Sequence, residues 1–127
     1  MTTRRHFEDD AQQSLFTILS TLYPAIRKLT FAIPNGGRRN LREAARLKHQ
    51  GVTKGIPDIF LAFPSGQYHG LFIELKRPLI KGLPKPAITL EQKEMIDTLR
   101  FQGYCVKVCY GTEEALDTIL QYWKLED

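Results

Sequence analysis

One segment limits the possible folds more than any other: Gly55 to Pro78, GIPDIFLAFPSGQYHGLFIELKRP. Two apolar runs, IFLAF and LFIELK, are joined by PSGQYHG, which carries a proline, a serine and two glycines. Short apolar runs bounded by such residues predict the two strands of an antiparallel hairpin. Side chains alternate across a strand, so Leu71, Ile73 and Leu75 share one face while Phe72, Glu74 and Lys76 share the other. In the first strand Asp58, Phe60 and Ala62 lie on one face. The turn length favours a register that sets Asp58 opposite Glu74 or opposite Lys76, and only a bulge would break that parity. Three charges are thus expected at one end of the two most apolar segments.

The remaining elements follow from periodicity and punctuation. Phe7, Ala11, Leu15, Ile18, Leu19 and Leu22 recur at helical spacing, and Pro24 marks the helix end or the loop after it. Leu29 to Ile33 is a short β-prone run, and PNGG behind it is a turn signal. Leu41 to Gln50 predicts a short basic helix with Gly51 just past its end. RPLIKGLPKPA holds Pro78, Pro84 and Pro86, which remove donors and fix φ, so it reads as an irregular, mobile loop. TLEQ predicts a capping box, with Thr89 as N-cap and Gln92 three residues on, opening a helix that runs to about Gln102 before Gly103. YCVKVCY is a strand. A last helix, Glu113 to about Lys124, carries Ala115, Leu116, Ile119, Leu120 and Trp123 on one side. The expected order is αβαββαβα. A hairpin followed by a β-α-β crossover implies an α/β fold with a mixed sheet flanked by helices. No Gly-rich phosphate loop or nucleophile elbow interrupts it.

At 127 residues the chain reads as one domain, residues 1–127. No apolar run approaches the ~20 residues that span a bilayer, and MTTRRHFEDD has no apolar stretch behind its basic residues, so no membrane association and a cytoplasmic location are expected. Cys105 and Cys109 would lie on one strand face roughly 13 Å apart at ~3.3 Å per residue, too far for a disulfide. Two buried free thiols in a reducing compartment are the simpler reading. The net charge of +4 is concentrated. Between residues 36 and 54, Arg38, Arg39, Arg42, Arg46, Lys48 and Lys54 face a single acid, Glu43. Such an excess suggests one basic surface for a polyanion, although on charge alone a solvated helix face is the better reading.

Two carboxylates brought together repel, and each costs several kcal/mol to desolvate unless compensated. A divalent cation resolves this. Mg²⁺ prefers hard oxygen ligands, takes one or two carboxylates and keeps several waters. Lys76, on the same face as Glu74, can steady developing negative charge. Two carboxylates, a metal and a lysine beside a basic patch describe a phosphodiester hydrolase. E-x-K alone is common on solvated strands; Gly-x-Pro-Asp, strand, turn and a second strand ending E-x-K together are far more specific.

Pro57-Asp58 followed by Glu74-Leu75-Lys76 resembles the PD-(D/E)XK nuclease superfamily, and within it the VRR-NUC branch. The likeness spans nearly the whole chain: Glu8 to Gln12 as E-x-x-x-Q, Ile33 to Gly37 as IPNGG, a basic helix, G-I-P-D, I-E-L-K, a glutamine in the next helix and a G-Y-x-V strand. The resemblance implies a restriction-endonuclease-like core and a Mg²⁺- or Mn²⁺-dependent DNA endonuclease, leaving a 5′-phosphate and a 3′-hydroxyl. It implies that Asp58, Glu74, the Leu75 backbone carbonyl and Glu8 hold metal and that Lys76 is the catalytic lysine. Glu8 also fits an ordinary first-turn acid favoured by the helix dipole. Gln92 is either the capping-box partner or a site residue; Asn35 and Gln12 are weaker candidates. Stand-alone members of the branch resemble enzymes that cut four-way (Holliday) junctions as symmetric homodimers, for which the last helix, with Ile119, Leu120, Trp123 and Tyr122, is the expected interface unless Trp123 packs on the sheet. The other expectations kept open are a binding module of the same fold without activity, and a nuclease acting on RNA.

Overall fold

The first helix forms where the apolar spacing places it. In the computed structural model, which describes residues 4–34 and 41–126, α1 spans Arg4–Leu22. Ala11, Leu15 and Leu19, four apart, are buried on one side. Leu22, expected on the same stripe, is 65% exposed because the chain turns away there. Pro24 does not simply end the helix. It opens a second one, α2 (Pro24–Leu29), at whose first turn its fixed φ and missing N–H cost nothing. The order is therefore ααβαββαβα, one helix more than expected. The Thr30 hydroxyl donates to the Ile26 carbonyl at 2.7 Å, and the chain passes directly into β1 (Thr30–Ala32).

The basic helix α3 (Leu41–His49) contains no buried residue, and Gly51 behind it has φ of 99°. The hairpin is β2 (Ile59–Leu61) and β3 (Leu71–Lys76). After the proline-rich loop come α4 (Leu90–Phe101), β4 (Cys105–Tyr110) and α5 (Thr112–Trp123). The sheet order is β1-β2-β3-β4, with β1–β2 and β2–β3 antiparallel and β3–β4 parallel. Ile59 pairs with Ile73, Phe60 with Phe72 and Leu61 with Leu71, the register that sets Asp58 opposite Glu74.

The two faces of the sheet carry separate cores. Leu71, Ile73 and Leu75 pack with Ile59, Leu61, Cys105 and Cys109 beneath α1 and α5. Phe72, Val106 and Ile96 of α4 form the second core, with Phe60, Tyr104 and Leu99 against them. All six residues of β3 are buried, so Glu74 and Lys76 occupy places where a central strand ordinarily holds apolar side chains. Both cysteines are free and buried, and burial pushes both thiols above their usual pKa.

The apolar side of α5 is used inside the fold. Ala115, Ile119 and Tyr122 are buried, and the Trp123 ring stacks on Phe63 at 4.0 Å between centroids. The Tyr122 hydroxyl donates to the Phe63 carbonyl at 2.7 Å. Of the two expectations for Trp123, packing within the chain is the one observed, and Leu120 and Trp123 keep part of their surface exposed. Among the described residues no helix is long and apolar enough to cross a membrane.

Candidate active site

The site arises because β3 is longer than β2. Their pairing ends at Ile59–Ile73, so Glu74, Leu75 and Lys76 run on past it. Asp58, the residue before β2, is tied down twice: its carbonyl accepts from Ile33 N–H at 2.7 Å, and its Oδ2 accepts from Leu75 N–H at 2.8 Å. The carboxylate thus takes an amide of the central strand that lies beyond the end of β2. This holds Asp58 beside Glu74 on the α4 side of the sheet.

Gln92 caps α4 and also reaches the two charged residues of β3. The capping box is formed: Gln92 N–H donates to Thr89 Oγ1 at 3.1 Å, and Gln92 Oε1 accepts from Thr89 N–H at 3.0 Å. The same Oε1 accepts from Lys76 Nζ at 3.0 Å, and Nε2 donates to Glu74 Oε2 at 3.1 Å. Lysine and the backbone amide only donate, and Glu74 Oε2 accepts, so one orientation of the Gln92 amide satisfies all three. Lys76 Nζ also lies 3.5 Å from Glu74 Oε2. One helix start therefore locks the lysine and the glutamate of β3 together.

Glu74 is only 3% exposed, and its Oε1 is buried with no hydrogen-bond partner. Burial first, and the Asp58 charge second, push its carboxyl up to about 8; Lys76 pulls the other way, and a hydrogen bond with Asp58 adds to the rise. Two acids thus share one buried pocket, and no N–H group meets Glu74 Oε1 there. A cation with hard-oxygen preference suits this donor set.

The other expected residues are more dispersed. Glu8 is half-buried near the start of α1, as is Gln12 a turn later. Among the described residues no group of three or more His, Cys, Asp or Glu is assembled for a metal, so the carboxylate cluster is the pair rather than a trio with Glu8. Arg42, Arg46 and Lys48 are exposed on α3. Asn35, Arg38, Arg39 and the IPNGG turn beyond Pro34 lie outside the described residues. Lys54 is exposed and pairs with Glu91 at 3.0 Å, a contact that lowers the Glu91 pKa. Arg77, the residue after Lys76, is 1% exposed and so is not available to a phosphate. Its guanidinium donates to the carbonyls of Pro78 and Pro84, closing the neck of the proline-rich loop.

One further residue positions the site. Gly55 has φ of 88°, and an added Cβ would stand 2.7 Å from the Glu91 carbonyl oxygen at the start of α4. The glycine thus lets the strand bearing Asp58 pass against the helix bearing Gln92. G-I-P-D carried the signal, but only the close approach explains its first residue. Gly55→Ala should destabilise the protein by about 1–3 kcal/mol, the usual cost of a strained backbone position; thermal unfolding of that single variant checks it.

Comparisons with known proteins bear on the family and the fold. The VRR-NUC domain model matches residues 13–113. A solved structure described as a VRR_NUC domain protein superimposes with a TM-score of 0.79 at 31% identity, covering 95% of this chain and 91% of that one. No curated protein matches the chain. With most of its length matched and its fold shared, the chain belongs to the VRR-NUC family, a family of nuclease-type domains.

Proposed function

We propose that the protein is a Mg²⁺- or Mn²⁺-dependent endonuclease acting on branched DNA, four-way junctions among them, and that it works as a homodimer in the cytoplasm. The observation that carries the reading is the Asp58–Glu74 pair, with Glu74 Oε1 buried and unpartnered beside Lys76. Asp58 and Glu74 would hold the ion, with the Leu75 carbonyl as a further oxygen donor. A bound divalent cation supplies Lewis acidity, stabilising charge on phosphate and making water more nucleophilic at neutral pH. The chain's own groups do the rest. Gln92 orients Lys76 and Glu74 through its amide. The Lys76 ammonium offers a positive charge where a pentavalent phosphate gathers negative charge. The end of the sheet, roofed by α4, keeps these groups away from bulk water, which strengthens their electrostatics.

The exposed basic residues of α3 suit a phosphate backbone, whose contacts position a duplex without reading sequence. Arg42→Ala with Arg46→Ala should weaken binding to all sequences alike and make the salt dependence of log K shallower by about one to two units. An unchanged slope in fluorescence anisotropy would place the DNA on another surface. The functional test is a cleavage panel of duplex, flap, single strand and four-way junction, with Mg²⁺, Mn²⁺, Ca²⁺ or chelator. Cutting in Mg²⁺ or Mn²⁺, and binding alone in Ca²⁺, is expected, strongest on branched DNA. Binding without cutting under every condition would favour a recognition module; cutting of RNA alone would change the substrate class.

A further inference from the structure

The segment between Lys76 and Gln92 has its own design. Residues 77–90, RPLIKGLPKPAITL, contain three basic residues and no acid. Arg77 is buried and ties the carbonyls of Pro78 and Pro84 together, so the loop is closed at its neck. Pro78 packs against Gly111, where an added Cβ would come within 3.3 Å of it. Lys85 lies over the Tyr110 ring at 4.7 Å, and Pro86 is buried. At the far end Leu83 N–H donates to the Ile80 carbonyl at 3.0 Å across a turn in which Gly82 has φ of 88°. The base is anchored, yet the tip is apolar: Leu79 is 58% exposed and Leu83 53%, with Lys81 between them in sequence. Ile88 and Leu90, on the returning limb, are also exposed.

Three exposed aliphatic side chains on a tied loop, with Leu90 at the first position of α4 beside them, need an occupant. Leu79 lies three residues from Lys76, so their Cα atoms are at most roughly 11 Å apart at ~3.6 Å per residue. Whatever phosphate reaches Lys76 brings its neighbouring bases within range of the loop. The exposed Lys81 and Lys85, with no acid in residues 77–90, favour a polyanion over an apolar protein face. Leucine and isoleucine are also residues that enter between base steps and unstack them, exchanging stacking for a bent nucleic acid that contacts more protein.

We propose that the loop 78–88 is a wedge: Leu79 and Leu83 insert against the bases flanking the scissile phosphate while Lys81 holds the adjoining backbone. This rests on the nuclease reading and adds a source of preference for branched DNA, whose bases at the branch are already partly unstacked. The loop would select substrate by the ease of opening it, not by sequence.

The test uses full-length protein and a four-way junction carrying 2-aminopurine beside the branch, in Ca²⁺. Wild-type protein should raise the fluorescence several-fold as the base unstacks. Leu79→Ser with Leu83→Ser, both exposed positions, should abolish the rise and cut junction cleavage in Mg²⁺ by about tenfold or more, with the salt slope of binding and Mn²⁺ affinity unchanged. Equal fluorescence and equal cleavage in variant and wild type would overturn the wedge and leave the nuclease reading standing. A variant that loses self-association in sedimentation, but keeps the fluorescence rise, would assign the loop to a second copy and overturn it too. Wild-type protein that neither binds nor cuts DNA would overturn both.

Discussion

Glu74→Gln is expected to abolish cleavage and, in the absence of metal, to make the protein more stable at alkaline pH. The first effect follows from losing an anionic oxygen donor. The second follows from the pKa. Glu74 is raised from 4.5 to about 8 by burial and by Asp58, net of the Lys76 attraction. A carboxyl raised on folding contributes its full stability below the unfolded value and loses it as pH rises through the folded value. Wild type should therefore weaken, relative to the variant, between about pH 4.5 and pH 8 and no further above that. Each pKa unit is worth about 1.4 kcal/mol, so the shift corresponds to a gap on the order of 5 kcal/mol, of which roughly 2–5 should appear once the amide's imperfect replacement of the carboxylate is counted. Urea unfolding of both proteins at pH 5 and pH 9 in chelator reads it directly. A gap of the same size at both pH values would mean that Glu74 is not the strained acid described here. Asp58→Ala should remove cleavage as well, while relieving the charge that raises Glu74.

Lys76→Ala should leave the metal bound but lower the single-turnover rate by roughly 10²- to 10⁴-fold, the usual worth of a positioned charge-stabilising or proton-transferring group. Gln92 would keep its capping bond to Thr89, so α4 should hold its place and the loss would be chemical rather than structural. Lys76→Arg should recover little. A planar guanidinium cannot take the point-like position of an ammonium that is 3.0 Å from Gln92 Oε1 and 3.5 Å from Glu74 Oε2. A fall in metal affinity with an unchanged rate at saturating metal would make Lys76 a structural partner of Glu74 and nothing more.

Much of this site is legible in the sequence because a strand's period is two. Once the hairpin through PSGQYHG is recognised, parity alone puts Asp58 and Glu74 on one face, and the observed register agrees. The capping box was likewise written in TLEQ. What that local pattern could not reveal is that the same amide reaches Lys76 and Glu74, since this depends on where α4 lands on the sheet. The second helix was hidden because six residues are too few for periodicity to register, and proline marks a helix start as readily as a stop. Nothing in the sequence marks Arg77 for burial. It is buried because the loop's carbonyls, stripped of β partners by three prolines, need a donor. Trp123 looked like an interface anchor, yet Phe63 at the hairpin, sixty residues away in sequence, takes its ring. Tertiary partners place Gln92 and Trp123, and a one-dimensional pattern does not carry them.

The central claim is that Asp58 and Glu74 together hold a divalent ion, and proton release tests it most directly. Glu74 is largely protonated below about pH 8 in the metal-free protein, so binding must expel that proton. Calorimetric titration of Mn²⁺ into the protein at pH 6.5, in two buffers of different ionisation enthalpy, should report close to one proton released per ion. The release should fade towards zero above pH 9 and vanish in Glu74→Gln. Mn²⁺ binding that releases no proton at pH 6.5 and is unchanged in that variant, or no binding at all, would contradict the account.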